Sequence, residues 1–98
     1  MVEYLYDAIK AVAGQEIVIN AFITNEKEET ITENCSLVLY DQDGDTMLIK
    51  VPGVYLPKDF IWEFRVPAEI TMGLKGRYWY YIMNSDSNLC FKQPIYLV

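Results

Sequence analysis

Hydrophobic and polar positions alternate along most of this chain with a period of two, the spacing of β-strands with one covered face. In QEIVINAFIT (residues 15–24), Ile17, Ile19, Ala21 and Ile23 fall on one side, and Val18, Asn20, Phe22 and Thr24 on the other. This predicts an early strand with its isoleucine side inward. NEKEET (25–30) carries four charges and no large apolar group, so it reads as a solvated connection. CSLVLYDQDGDTMLIKV (35–51) is two β runs around Asp43-Gly44, a dipeptide suited to the positive φ angles of a tight hairpin turn. FIWEFRVP (60–67) sets Trp62, Phe64 and Val66 against Glu63 and Arg65, and stops at Pro67, which has no N–H to give a ladder.

The local helical pattern is PAEITMGLKG (67–76), with Pro67 at its start, Glu69 in the first turn, and Gly73 and Gly76 as stops. A short helical turn near 67–73 is expected. RYWYYIMN and LCFKQPIYLV, joined by the turn formers SDSN, predict a terminal hairpin. About seven short strands, with no helix long enough for a βαβ crossover, predict an all-β fold. The expected form is a two-sheet antiparallel immunoglobulin-like sandwich filling residues 1–98 as a single domain.

The stretch GRYWYYIMN (76–84) complicates that pattern, because it places one Trp and three Tyr within five consecutive positions. In a two-sheet sandwich each sheet has one covered face. With Tyr78, Tyr80 and Ile82 inward, alongside Leu89, Phe91, Ile95 and Leu97 of the last strand, the outward side carries Trp79, Tyr81 and Met83 with Cys90, Lys92, Pro94 and Tyr96. Trp79, Tyr81, Met83 and Tyr96 are therefore the expected partner-binding residues, since a contiguous exposed patch of such side chains marks an interface. A register slip of one residue would reverse the assignment.

Composition narrows the functions. A chain of 98 residues that is 52% hydrophobic and 14% aromatic can bury one core. A net charge of −6 argues against nucleic acid and anionic membrane as partners. No apolar run reaches the ~20 residues of a spanning helix. Glu3 stands where a secretory leader would be positively charged, so synthesis in the cytoplasm is expected. Cys35 and Cys90 are expected as free thiols, since the immunoglobulin bridge joins the second strand to the penultimate one around a buried Trp, and Cys35 opens the third strand in this reading. The Asn34-Cys35-Ser36 sequon has meaning only in a secretory pathway.

The chain contains no His, which removes the commonest general base and the commonest metal ligand together. Ser36, Ser85 and Ser87 then lack an imidazole partner, and neither cysteine has an activating neighbour in sequence. A non-enzymatic protein without cofactor or metal is expected. Asp41, Asp43 and Asp45 alternate like calcium ligands, but the glycine falls at position four rather than six and no Glu stands at twelve. They read as a solvated turn.

VPAEITMGLKGRYWYYIMNSDSNLCFKQPIYLV (66–98) resembles the C-terminal half of small immunoglobulin-like β-sandwich modules of tailed-phage virion proteins, including the N-terminal module of phage baseplate upper proteins. Pro67, Ala68, Glu69, Leu74, Gly76, Arg77, Tyr78 and Tyr80 occupy the places of that pattern: a strand ending in Pro-Ala-Glu, a Leu before Gly-Arg-Tyr, and a Tyr-rich strand. The first half departs from it, with Gln15 and Glu16 where such modules carry Asp and Thr. The resemblance implies a virion accessory component (capsid decoration, fibre-anchoring, or baseplate and tail module), made in the host cytoplasm and assembled with other virion proteins or with itself. Ending at Val98 without a coiled-coil extension favours a free-standing accessory protein over a fibre fragment. The competing expectation is a carbohydrate-binding module that stacks sugars on Trp79, Tyr81 and Tyr96, with Lys92, Asn20 or Asn84 as polar groups.

Overall fold

The computed structural model describes residues 2–5, 8–25, 27–84 and 92–98. In chain order these form β1 (Val2–Leu5), β2 (Ala8–Ala11), β3 (Ile17–Ala21), β4 (Ser36–Tyr40), β5 (Met47–Pro52), β6 (Val54–Leu56), β7 (Ile61–Val66), α1 (Ala68–Thr71), β8 (Gly76–Met83) and β9 (Gln93–Leu97). They make two sheets, β1-β2-β9-β8-β4-β5 and β3-β7-β6. The fold is all-β, as the alternating pattern requires.

Ile17 and Ile19 from the smaller sheet and Ile23 just past it, with Trp62, Phe64 and Val66, pack against Leu37, Leu39, Val51, Tyr78, Ile82, Ile95 and Leu97 from the larger. These are the sides that the sequence reading sets inward, and in β8, which is apolar on both sides, pairing with β4 and β9 fixes the choice. Tyr80 is half-buried against the same core. Leu89, Cys90, Phe91, Ser85, Ser87 and Glu26 lie outside the described residues.

Four features differ from expectation. Nine strands are present among the described residues, because the N-terminal segment forms β1 and β2. The larger sheet is not wholly antiparallel, since β2 runs parallel to β9 with Ile9 opposite Ile95 and Ala11 opposite Leu97. That alignment buries Ile9 and Ala11, which gives the N-terminal strand its reason to dock there. The β4–β5 connection is not a two-residue turn but spans Asp41–Thr46. Asp43 organises it: Oδ1 accepts the N–H groups of Asp45 and Thr46 at 2.9 Å each, and Oδ2 accepts the Thr46 hydroxyl at 2.7 Å. Finally, α1 is one turn, with Pro67 just before it in extended conformation rather than inside it.

Gly53 lets β5, at the edge of the larger sheet, continue into β6, at the edge of the smaller one. A Cβ there would sit 2.5 Å from Phe64 Cε1 and 2.7 Å from Trp62 Cε3, so only glycine fits where the strand crosses over those rings. The Trp62 indole N–H donates to the Ile31 carbonyl at 2.6 Å, tying the segment after β3 to the core. At the other end the buried Thr71 hydroxyl accepts the Gly14 N–H at 3.1 Å and fixes the turn before β3. No helix among the described residues is long and apolar enough to cross a membrane.

Candidate functional site

The outer side of the larger sheet collects the aromatic residues singled out by the sequence. Register places Tyr40 opposite Trp79, Val38 opposite Tyr81, and Ser36 opposite Met83, while Trp79 faces Pro94 and Arg77 faces Tyr96 across β8 and β9. Opposed residues of an antiparallel pair share a face, and Tyr78 and Ile82 of the same strand are buried in the core. Trp79, Tyr81, Met83 and Tyr96 therefore lie together on the outward side. Tyr96 is 38% exposed and the other three are half-buried.

This face is less apolar than the sequence pattern suggests, because cations are set among the rings. The Arg77 guanidinium carbon stands 4.9 Å from the Trp79 ring centroid, and the Lys92 ammonium 4.6 Å from that of Tyr40. Lys50 lies opposite Val38, and Lys10 beside Tyr96. Each cation over a ring contributes about 0.5–1 kcal/mol at such exposed positions. Trp79 is also partly sheltered. A Cβ on Gly44 would be 3.6 Å from its Cδ1, so the Asp41–Thr46 turn leans on the edge of the indole. Lys92 holds that turn by donating to the Gly44 carbonyl, with Asp45 3.9 Å away.

Tyr40 and Tyr81 form the centre. Their rings stack with centroids 5.4 Å apart at 16°, and their hydroxyls hydrogen-bond at 3.1 Å. That bond, followed by partial burial, pushes the Tyr81 phenol above its ordinary pKa. Val38 lies on this outer side, separate from the core, yet is only 2% exposed. The face is thus a packed layer with its own floor. Its side chains are positioned before any partner arrives, which lowers the ordering cost of binding.

Beyond Met83 the face runs into an open groove of about 390 Å³ lined by Asn34, Cys35, Ser36, Lys50, Met83 and Asn84, among others. The buried Cys35 thiol is free and directed at the Glu33 carbonyl, 3.9 Å away, and desolvation raises its pKa. It is the reverse of an activated nucleophile. Asn20 is corrected as a member of this face: it sits on β3, opposite Glu63, in the other sheet. The sequence reading also missed Tyr40, Arg77, Lys50 and Lys10, which lie on four different strands and become neighbours only through register. Among the described residues no cluster of acidic or thiol side chains is suited to hold a metal ion, and Asp43 is occupied by its own backbone.

No protein-family model, curated protein or solved structure matches this chain.

Proposed function

We propose that the chain is a non-enzymatic structural module that works by docking, an accessory component of a phage virion whose assembly surface is the outer side of the larger sheet. The observation that carries this reading is the layer of Tyr40, Trp79, Tyr81 and Tyr96 interleaved with Arg77, Lys50 and Lys92. Trp, Tyr and Arg are the residue types that dominate binding energy at protein interfaces, and truncating a central one typically costs about 2 kcal/mol or more. The strand order supports an immunoglobulin-like form of the sandwich. On this reading the β3-β7-β6 order corresponds to B-E-D and β9-β8-β4-β5 to G-F-C-C′. The virion role itself rests on the resemblance of residues 66–98.

Quantitative proteomics of purified particles from the source of the gene tests that role. A copy number near that of the major shell protein means decoration, and a small symmetric number means a tail, collar or baseplate part. Absence from the particle refutes it.

One observation favours a second reading, glycan binding. The groove brings Asn34, Ser36, Asn84 and Lys50 next to Met83, two residue pairs along from Tyr81 on the same face. Polar groups beside a stacking ring are what orient a sugar. Saturable quenching of tryptophan fluorescence by cell-wall glycans supports this reading, and a flat titration excludes it.

A further inference from the structure

The outer side of the smaller sheet forms a surface of its own. Ala21, Trp62 and Tyr55 lie side by side across its three strands and turn into the core. The rows on either side of them therefore face outward. One sets Ile61 opposite Leu56, and Phe22, one residue past Ala21, continues β3 level with that pair. The other sets Glu63 between Asn20 and Val54, and beyond it Arg65 stands opposite Val18.

The two ends of this face differ. At one, Arg65 is held by Glu16 and Glu63 at 2.7 Å each, so its charge is answered within the same copy. At the other stand Phe22, 77% exposed, and Phe60, 60% exposed, with Val54, 59% exposed, and the half-buried Leu56 and Ile61 beside them. None of these five belongs to the core. Phe60 also holds a φ of 57°, in the left-handed region that bulky side chains avoid and glycine accepts. A strained position that carries an exposed ring points to a use outside the fold.

The area of the patch names its occupant. At about 200 Å² for a whole phenylalanine, the two rings present ~270 Å², and the three aliphatic side chains raise the patch to roughly 400 Å². Two such patches together hold roughly 800 Å², and since homodimer interfaces are about 65% apolar, the whole contact comes to about 1,200 Å², where stable specific pairs begin. We infer that two copies dock back to back through this face, about a two-fold axis near the Phe22–Ile61–Leu56 row. A two-fold contact sets the same patch on both sides, and here it lays apolar surface on apolar surface while Glu63 and Arg65 keep each other. Lys27, Glu28, Glu29, Lys58 and Asp59 around that end are exposed and of both signs, so charge does not choose the partner. The inference is independent of the docking face on the larger sheet, which stays free on both copies and points outward from each side of the dimer.

Sedimentation velocity on the purified protein over a range of concentrations tests the inference, with each variant checked for fold by circular dichroism. The wild type is expected to pass from monomer to dimer. The dimer should hold or tighten between about 0.05 and 0.5 M salt, because salt screens the −6 carried by each copy and leaves apolar burial intact. Phe22→Ser and Phe60→Gly are each expected to weaken the dimer at least about tenfold. Phe60→Gly should also match or raise the wild-type Tm, since glycine accepts that φ, so its lost dimer cannot be laid to a damaged fold. Trp79→Ser, on the opposite side of the sandwich, should leave the dimer unchanged. A wild type that is monomeric at every concentration refutes the inference and leaves the patch for a different protein. Dimers that both phenylalanine variants still form refute it as well. If Trp79→Ser dissolves those dimers, the contact belongs to the larger sheet, and the docking reading stands while the back-to-back pair falls.

Discussion

Replacing Gly53 by alanine is the sharpest probe of how the two sheets are joined. The backbone conformation of Gly53 is outside the left-handed region, so an alanine there is not strained by φ, and the perturbation is the added methyl alone. That methyl would lie 2.5 Å from Phe64 Cε1 and 2.7 Å from Trp62 Cε3. Phe64 is fully buried and Trp62 nearly so, their rings stack with centroids 6.3 Å apart, and Trp62 is further held by its bond to Ile31, so neither can swing aside cheaply. Overpacking a core by one methyl costs about 1–3 kcal/mol, and the two-ring clash places this site near ~3. Loss of glycine freedom in the unfolded chain returns about 0.4–1 kcal/mol. A net destabilisation of ~2 kcal/mol remains. With a urea slope of about 1 kcal/mol per molar for a domain of this size, the midpoint should fall by ~2 M, and Tm by roughly 10 °C. Urea unfolding followed by tryptophan fluorescence reads this directly. The double variant Gly53→Ala/Phe64→Leu should be more stable than the sum of the two single effects, by about 0.5–3 kcal/mol, since the smaller side chain makes room for the methyl. A Gly53→Ala midpoint within ~0.3 M of wild type, or strict additivity, would refute the crossing geometry that fixes the edge of the docking face.

Asp43 and the Tyr40–Tyr81 pair give two further tests. The Thr46 and Asp45 N–H groups and the Thr46 hydroxyl hold the Asp43 carboxyl below its usual pKa, so its contribution is complete above the unfolded value and disappears as pH falls through the lower folded one. Asp43→Ala should therefore destabilise the protein at pH 7 and match wild type in strong acid, and an equal gap at both pH values would contradict that assignment. Tyr40→Phe removes the hydroxyl that stabilises the neutral Tyr81 phenol, so the ultraviolet titration of Tyr81 should shift downward. The bond's stability contribution holds below the ordinary tyrosine pKa and is lost as pH rises through the raised one, and an unchanged titration would show that the hydroxyls do not interact.

What the sequence discloses and what it conceals follow from how each feature is encoded. Trp62, Phe64 and Val66 declare their inward side because Glu63 and Arg65 alternate with them, whereas Ile17, Ile19 and Ile23 do so less sharply, with Val18 and Phe22 among their alternates. Tyr78 and Ile82 are buried on the side that the sequence reading sets inward, a choice that the pattern alone does not fix because their strand is apolar on both sides. β1 and β2 are four residues each, too short for periodicity to announce, and the parallel partner of β2 lies near the other end of the chain. Pro52-Gly53 has the look of a turn, whereas the chain passes straight from one sheet into the next. The aromatic half of the candidate face is local, since Trp79, Tyr81 and Met83 share one strand. Its cationic half is not, for Lys10, Lys50, Arg77 and Lys92 are scattered over 83 residues and only pairing gathers them. Phe22 and Phe60 are similar: they are far apart in sequence, and they share one end of the smaller sheet because β3 and β7 pair.

Hydroxyl-radical footprinting of the protein, free and within assembled particles, tests the docking face most directly. Protection of Trp79, Tyr81, Met83 and Tyr96 on assembly is expected, while Met72, 68% exposed beside α1, should keep its reactivity. Equal reactivity of Trp79, Tyr81 and Tyr96 in both states would contradict the assignment of this sheet face as the surface through which the protein assembles.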